Sequence, residues 1–365
     1  MTEAIRQRVL VGLSGGVDSA VAAALLVEQG QGVEAVFMKN WEEDDTAAHC
    51  SAAADLADAQ AVADRLGLPL RAVNFATEYW DRVFTRFLDE YRAGRTPNPD
   101  VLCNREIKFR AFLDYALGRG ADAIATGHYA RRADRPDGVH LLQSADPDKD
   151  QTYFLHALDQ SQLRRALFPL GDLTKPEVRA LARARGLPNH ARRDSTGICF
   201  IGERRFRDFL QRFLPARPGE IRTPEGALVG RHDGLMYYTL GQRHGIGVGG
   251  VRGAGDAPWF VVGKDLASNT LRVAQGHDHP LLYSRSLLAT VPTWVLGRPP
   301  PAPLRCRARC RHRQPLQDCA VALSSDGRAV QVRFDLPQRA VTPGQSVALY
   351  QDGDCLGGAV IERTE

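Results

Sequence analysis

Leu13-Ser14-Gly15-Gly16-Val17-Asp18-Ser19 decides the fold of this 365-residue chain. It follows an apolar run, Val9 to Leu13, that reads as a buried strand, and precedes Ala20 to Gln29, an alanine- and leucine-rich run that reads as a helix. A Gly-rich turn from strand to helix gathers free backbone N–H groups and the positive end of the helix dipole at one point, which makes an anion site. Ser14 and Ser19 add hydroxyl donors, and Gly15 and Gly16 have no Cβ to keep a phosphate off the backbone. Gly12, Leu13 and Val17 complete the loop. Asp18 suits a Mg2+ shared with the phosphates. The loop is not a Walker A motif, because no Gly-Lys-Ser/Thr follows.

Outward from the loop, strand-like and helical runs alternate. Val33 to Lys39, Leu70 to Phe75 and Ala123 to Thr126 read as strands, and Ala52 to Leu66, Glu78 to Tyr91 and Arg105 to Leu117 as helices. This β/α alternation predicts an α/β fold with a doubly wound parallel sheet and ligands at the carboxyl ends of its strands. Pro176 to Arg185 and Phe206 to Phe213 read as further helices. From Pro218 the chain breaks into short apolar runs cut by Gly and Pro, a β-rich texture. The predicted organisation is a catalytic domain over 1–211, a small central β-rich domain over 212–283 and a C-terminal β-barrel-like domain over 284–365.

The composition, 44% hydrophobic and 25% charged, is that of an ordinary globular protein. The first six residues lack the apolar core of a signal peptide, which predicts a cytoplasmic location. The net charge of +4 is unevenly spread. Residues 1–100 carry 9 Lys+Arg against 16 Asp+Glu, and residues 161–222 carry 14 against 6. A polyanion surface or a set of solvated arginine-rich faces would each account for that. Arg305, Arg307, Arg309, Arg311 and Arg313 alternate with Cys306, Ala308, Cys310 and His312. On a strand the five arginines would share one face, as either a nucleic-acid contact or a guard against edge pairing.

Seven cysteines at irregular spacing do not make a disulfide scaffold. Cys103 ends a Pro-stiffened loop, Thr96 to Asn104, which is expected to enter a helix near Arg105. There the helix dipole would favour its thiolate, with Asp100 close enough to exchange a proton. Cys199 lies on a Gly-flanked turn beside arginines. Cys306 and Cys310 on a strand would stand ~13 Å apart, too far to share a metal. Cys50, Cys319 and Cys355 read as structural.

The Ser14–Ser19 loop resembles that of the N-type ATP pyrophosphatases, which split ATP to AMP and pyrophosphate while activating an oxygen. Eight segments in order, Gly12–Ser19, Phe37–Trp41, Ala93–Asn104, Ala125–Tyr129, Lys149–Leu155, Asp194–Gly202, Tyr238–Arg243 and Val341–Ser346, resemble the bacterial tRNA-specific 2-thiouridylases. The resemblance implies thiolation of the wobble uridine, U34, in tRNAs for Lys, Glu and Gln. It implies that Gly12 to Ser19, Met38 and Gly127 bind ATP, and that Asn98, Pro99 and Asp100 hold the target base, which must leave the stack to be reached. His128, Lys149, Asp150, Gln151, Arg311, His312 and Gln345 would contact tRNA. Cys199 would carry a persulfide delivered by a sulfur-relay protein or cysteine desulfurase, with Cys103 as its partner nucleophile through a Cys103–Cys199 disulfide. Asp100 would be the acid/base. A competing chemistry on the same residues is an iron–sulfur cluster held by Asp100, Cys103 and Cys199. A ligase acting on a small carboxylate would leave the cysteine pair without a role, and a non-catalytic RNA-binding protein would not need Cys199 beside an ATP site.

Overall fold

The computed structural model describes residues 6–42, 51–194, 206–248 and 255–365. Its first sheet is parallel, built from β1 (Arg8–Gly12), β2 (Gly32–Lys39), β3 (Leu70–Asn74), β4 (Ala123–Ala125) and a short β7 (Ala166–Leu167), in the order β3-β2-β1-β4-β7. Alternate residues of β1 go to opposite faces. Val9 and Val11 pack with α1 (Val17–Glu28), α2 (Ser51–Leu66) and the Lys175–Ala184 helix. Leu10 packs with the helical runs 76–92 and 99–118. Helices on both faces make the sheet doubly wound, and its strand order reverses between β1 and β4, so ligands belong at the carboxyl ends of those two strands. Each fully buried aliphatic side chain in these layers contributes about 1.5–3 kcal/mol.

Both helical runs contain π-helical stretches, Trp80–Phe84 and Asn104–Ala111. The second separates the α-helices Pro99–Cys103 and Phe112–Gly118. Trp41, Trp80, Phe84, Phe209 and Phe213 interlock, fixing the Phe206–Gln211 helix onto the first domain.

The central sheet, β8 (Gly219–Arg222), β9 (Leu228–His232), β10 (Trp259–Asp265) and β11 (Thr270–Gln275), has the order β10-β11-β8-β9. Strands β12 (Tyr283–Trp294), β13 (Leu304–Arg309), β14 (Gln317–Leu323), β15 (Ala329–Arg339), β16 (Ser346–Gln351) and β17 (Asp354–Thr364) run β12-β15-β14-β13-β16-β17, and β17 pairs back onto β12. This is a closed β-barrel. A hairpin of the first domain, β5 (Arg131–Arg135) and β6 (Gly138–Leu142), extends the barrel sheet, with Leu141 opposite Cys355 and Leu142 opposite Asp354.

The arginine stripe is not a single exposed face. Strand β13 ends at Arg309, which is buried, and its guanidinium lies 2.7 Å from buried Asp150. Arg305 pairs with Asp335, and Arg311 bonds the carbonyls of Leu240 and Ala340. Period 2 fails at Arg309 because the strand stops there and the first domain offers a carboxylate. Cys306 and Ala308 turn into the barrel as expected, and Cys306 faces Cys319 across the ladder with the sulfurs 3.8 Å apart.

Candidate active site

Gly12 ends β1, and the chain turns through Leu13–Gly16 into α1. Gly15 has φ +77°, and a Cβ there would stand 2.6 Å from the Asp55 carbonyl, so only glycine fits. Its carbonyl accepts from Asn189 Nδ2 at 2.7 Å. Gly16 is the N-cap of the twelve-residue α1 and supplies no side-chain cap, so the first-turn N–H groups remain available to a ligand. Ser19 Oγ donates to the Gly16 carbonyl and accepts from Ser14 N–H, and the two serine hydroxyls are 3.3 Å apart. Gly127, beyond β4, closes the other side. A Cβ on it would lie 2.6 Å from Ser19 N and 2.7 Å from Asp18 C. Met38, at the end of β2, brings its Cε within 3.0 Å of where a Gly12 Cβ would be.

Asp18 faces this crevice with Oδ1 accepting from the Tyr129 hydroxyl at 2.9 Å and from Lys175 Nζ at 2.6 Å. Burial and the Asp18 charge both push the Tyr129 phenol up, so it donates throughout the working range. Lys175 opens its helix under a capping box of Thr174 and Glu177. Burial pushes Asp194 up, but its bonds to Lys149 and Lys175 outweigh that and hold it down at about 2.

The Gly94–Asp100 segment is positioned by all three domains. Thr96 N–H donates to the Pro343 carbonyl at 2.9 Å, and Gln345 Nε2 donates to the carbonyls of Thr96 and Pro97 at 2.9 and 3.1 Å. From the central domain, Lys264 Nζ bonds the Gly94 carbonyl at 3.0 Å and Thr239 meets Thr96 hydroxyl to hydroxyl at 3.3 Å. Asn98 then caps the helix by accepting from Asp100 N–H, with Pro99 at the first position.

The N-terminal family model matching residues 7–203 is described as a tRNA methyl transferase HUP domain. Companion models, a tRNA methyl transferase PRC-barrel domain and an aminomethyltransferase beta-barrel domain, match 207–275 and 284–361. The curated tRNA-specific 2-thiouridylase MnmA of Methylococcus capsulatus is 63% identical over 99% of this chain and 97% of its own length. That of Pseudomonas aeruginosa is 61% identical over 99% and 96%. The chain belongs to the MnmA family.

The residues that the family likeness singles out lie at several depths. Asp100 stands in the first turn of its helix, where the dipole acts. Cys103 does not. The helix begins at Pro99 rather than near Arg105, so Cys103 is its fifth residue and is fully buried. The Asn98 cap and Pro99 start the helix earlier than the run of apolar residues suggests. Immediately after Cys103 the backbone becomes π-helical, an irregularity frequent at functional sites. Farther along, Phe112 packs near Gly12 and Phe109 against the His128 ring, so this helical run flanks the crevice between the β1–α1 turn and Gly127. Cys199 and Cys50 lie outside the described residues.

Of the expected tRNA contacts, Asp150 is not at the surface. It accepts from Ser144 N–H and the Thr152 hydroxyl and pairs with Arg309. His128 is buried on Thr126 Oγ1 at 2.7 Å, and burial holds it neutral, its pKa well below the usual histidine range. Gln151 Oε1 accepts from Tyr129 N–H, and His312 Nε2 lies 3.1 Å from the Asp150 carbonyl. Arg311, half-buried, braces the barrel against the central domain through Leu240. Gln345 donates to the Thr96 and Pro97 carbonyls, and Lys149 pairs with Asp194 at 2.7 Å. Tyr129, Lys175, Arg179, Asn189 and Asp194 join the site in the structure although none stands out individually in the sequence. The Thr-Lys-Pro-Glu capping box was the one local signal that Lys175 has a fixed place.

Proposed function

We propose that this chain makes 2-thiouridine in tRNA, at U34 of the tRNAs for Lys, Glu and Gln. The reading is carried by its end-to-end likeness, above 60% identity, to relatives named tRNA-specific 2-thiouridylase. ATP binds over Gly12–Ser19 with adenine toward Met38, and the uncapped α1 N-terminus receives phosphate oxygens. The extruded uracil is held by Asn98, Pro99 and Asp100. Its O2 attacks the α-phosphorus and pyrophosphate leaves, so the C2–O bond now ends in AMP, a competent leaving group. Mg2+ enters with ATP, and Asp18 would hold it; when bound it neutralises charge on the departing pyrophosphate.

Sulfur comes from a Cys199 persulfide charged by a relay protein or desulfurase. In one route Cys103 thiolate attacks the Cys199 sulfur, forms a Cys103–Cys199 disulfide and expels hydrosulfide, which adds to C2 and displaces AMP. In the other the terminal persulfide sulfur adds to C2, AMP leaves, and Cys103 resolves the adduct with the same disulfide as product. Either way, one two-electron reduction by an external thiol restores the enzyme, and the Cα atoms of the two cysteines must come within ~7 Å. Asp100, at the helix start, takes or returns the proton.

Incubation with radiolabelled ATP and tRNA, with and without a persulfide donor, tests this. Pyrophosphate release dependent on tRNA, with 2-thiouridine found by mass spectrometry, is expected. ATP cleavage dependent on a small carboxylate instead of tRNA would sink the reading, and thiolation by Cys199→Ser would remove the persulfide from it.

A further inference from the structure

Lys264, near the end of β10, reaches out of the central domain and donates to the Gly94 carbonyl at 3.0 Å. A bulge turns it that way. The register of β10 against β11 slips between Val261 and Gly263, so the residues beyond are rotated relative to those before. Gly94 stops the Thr85–Arg92 helix with φ +73°, its N–H returning to the Tyr91 carbonyl at 3.0 Å. Leu266 covers the same point, with Cδ2 2.6 Å from where a Gly94 Cβ would stand. Burial pushes the Lys264 ammonium down to about 8, with no carboxylate among the described residues to hold it up. Its contact is therefore a hydrogen bond and not an ion pair. Beyond Gly94 the chain has little freedom. Arg95 pairs with Glu90, and Thr96 is held by Pro343, Thr239 and Gln345. Pro97 and Pro99 then fix φ on either side of Asn98.

We propose that Lys264 is a positioning residue for the modification reaction: through the Gly94 carbonyl, the central domain sets where Asn98, Pro99 and Asp100 present the target uracil. The inference rests on the reading of those three residues as the ones that hold the base. Gln345 holds the Thr96 and Pro97 carbonyls from the barrel, so Lys264 makes the hold on this segment a matter of two domains. Without its amine the Gly94 carbonyl loses that donor, and Leu266, 54% exposed and apolar, cannot fix a direction in its place. The stiff stretch from Thr96 to Pro99 passes a shift at Gly94 on to the base-holding residues instead of absorbing it. A misplacement of about 1 Å is enough to slow a reaction step about a hundredfold, so a fraction of that shift is already visible in kcat.

The test compares Lys264→Met and Lys264→Arg in the full chain. Lys264→Met keeps the length and loses the donor. Its kcat for 2-thiouridine formation should fall about tenfold, with KM for tRNA and for ATP within about twofold of wild type. Lys264→Arg, which can donate to the same carbonyl, should recover most of the loss. Hydrogen exchange read by mass spectrometry should quicken over 95–104 in Lys264→Met and stay unchanged over 12–28. An unchanged kcat overturns the proposal. So does a raised KM for tRNA with kcat kept, because Lys264 would then meet the RNA directly. Exchange that quickens equally over both stretches overturns it as well, since the lysine would then only stabilise the fold. A wild-type chain that formed no 2-thiouridine would sink the thiolation reading itself. Even then, unchanged exchange over 95–104 in Lys264→Met would overturn the positioning role.

Discussion

Arg309→Met separates two roles that the arginine pattern leaves open. In the structure Arg309 and Asp150 are 2.7 Å apart with side chains 5% and 0% exposed, and the guanidinium also lies 4.7 Å over the Tyr350 ring. Removing one partner of a buried pair costs about 3–5 kcal/mol, since the other charge stays behind uncompensated. Asp150 keeps its bonds from Ser144 N–H and the Thr152 hydroxyl, which places the loss at the lower end, about 3 kcal/mol. For a unit of this size that lowers the melting temperature by roughly 6–12 °C. Thermal and guanidinium unfolding followed by tryptophan fluorescence measures it, and the Asp150→Asn/Arg309→Met double variant should recover part of the loss. The salt slope of tRNA binding should not change. A variant of native stability whose tRNA binding weakened, with a salt slope smaller by about 1, would show that Arg309 meets phosphate and refute the buried-pair argument.

Gly127→Ala pushes a methyl into the Asp18–Ser19 backbone, where overpacking costs about 1–3 kcal/mol, so ATP should bind about tenfold more weakly by calorimetry while circular dichroism is kept. Gln345→Ala removes two donors from the Thr96–Pro97 backbone; kcat should fall about tenfold with KM for tRNA little changed, whereas a direct RNA contact would raise KM. The folded Asp194 carboxyl titrates at about 2 against an ordinary 3.8, so the stability it contributes is complete above the unfolded value and lost as pH falls from about 4 to about 2. Asp194→Asn should flatten that part of an acid-unfolding curve read by fluorescence. Cys306→Ala/Cys319→Ala, deep in the barrel, should thiolate tRNA at close to the wild-type rate, and Cys103→Ala should not.

The parallel sheet was legible because β1, β2 and β4 centre on apolar runs, and the Leu13–Ser19 turn because its glycines and serines stand between a strand and a helix. The start of the Cys103 helix was misjudged. Proline at the first turn reads as a loop signal unless Asn98 before it is recognised as a cap. Arg309 was misassigned because a period-2 pattern reports the direction of a side chain but not whether a carboxylate from another domain waits there. The lysine pairs of Asp194 were invisible for the same reason, since Asp146, Lys149, Lys175 and Asp194 come from distant segments that meet only in the fold. A motif names residues without saying what each one touches. Asp150, His128 and Gln151 lie within a motif set, yet Asp150 and His128 support neighbours from the interior and half-buried Gln151 holds the Tyr129 backbone.

The Thr96–Gln345 contact also bears on inhibition. The backbone that leads into Asp100 and Cys103 is gripped along a seam between Gly94–Pro97 on one side and Pro343–Gln345 with Lys264 on the other. Gly344 sits so close that any Cβ on it would strike Thr96 at 2.9 Å. A small molecule wedged into that seam would shift the Pro99–Cys103 helix without approaching the Leu13–Ser19 turn. Such a compound would act away from the glycine turn, and its selectivity would come from a fit between three domains.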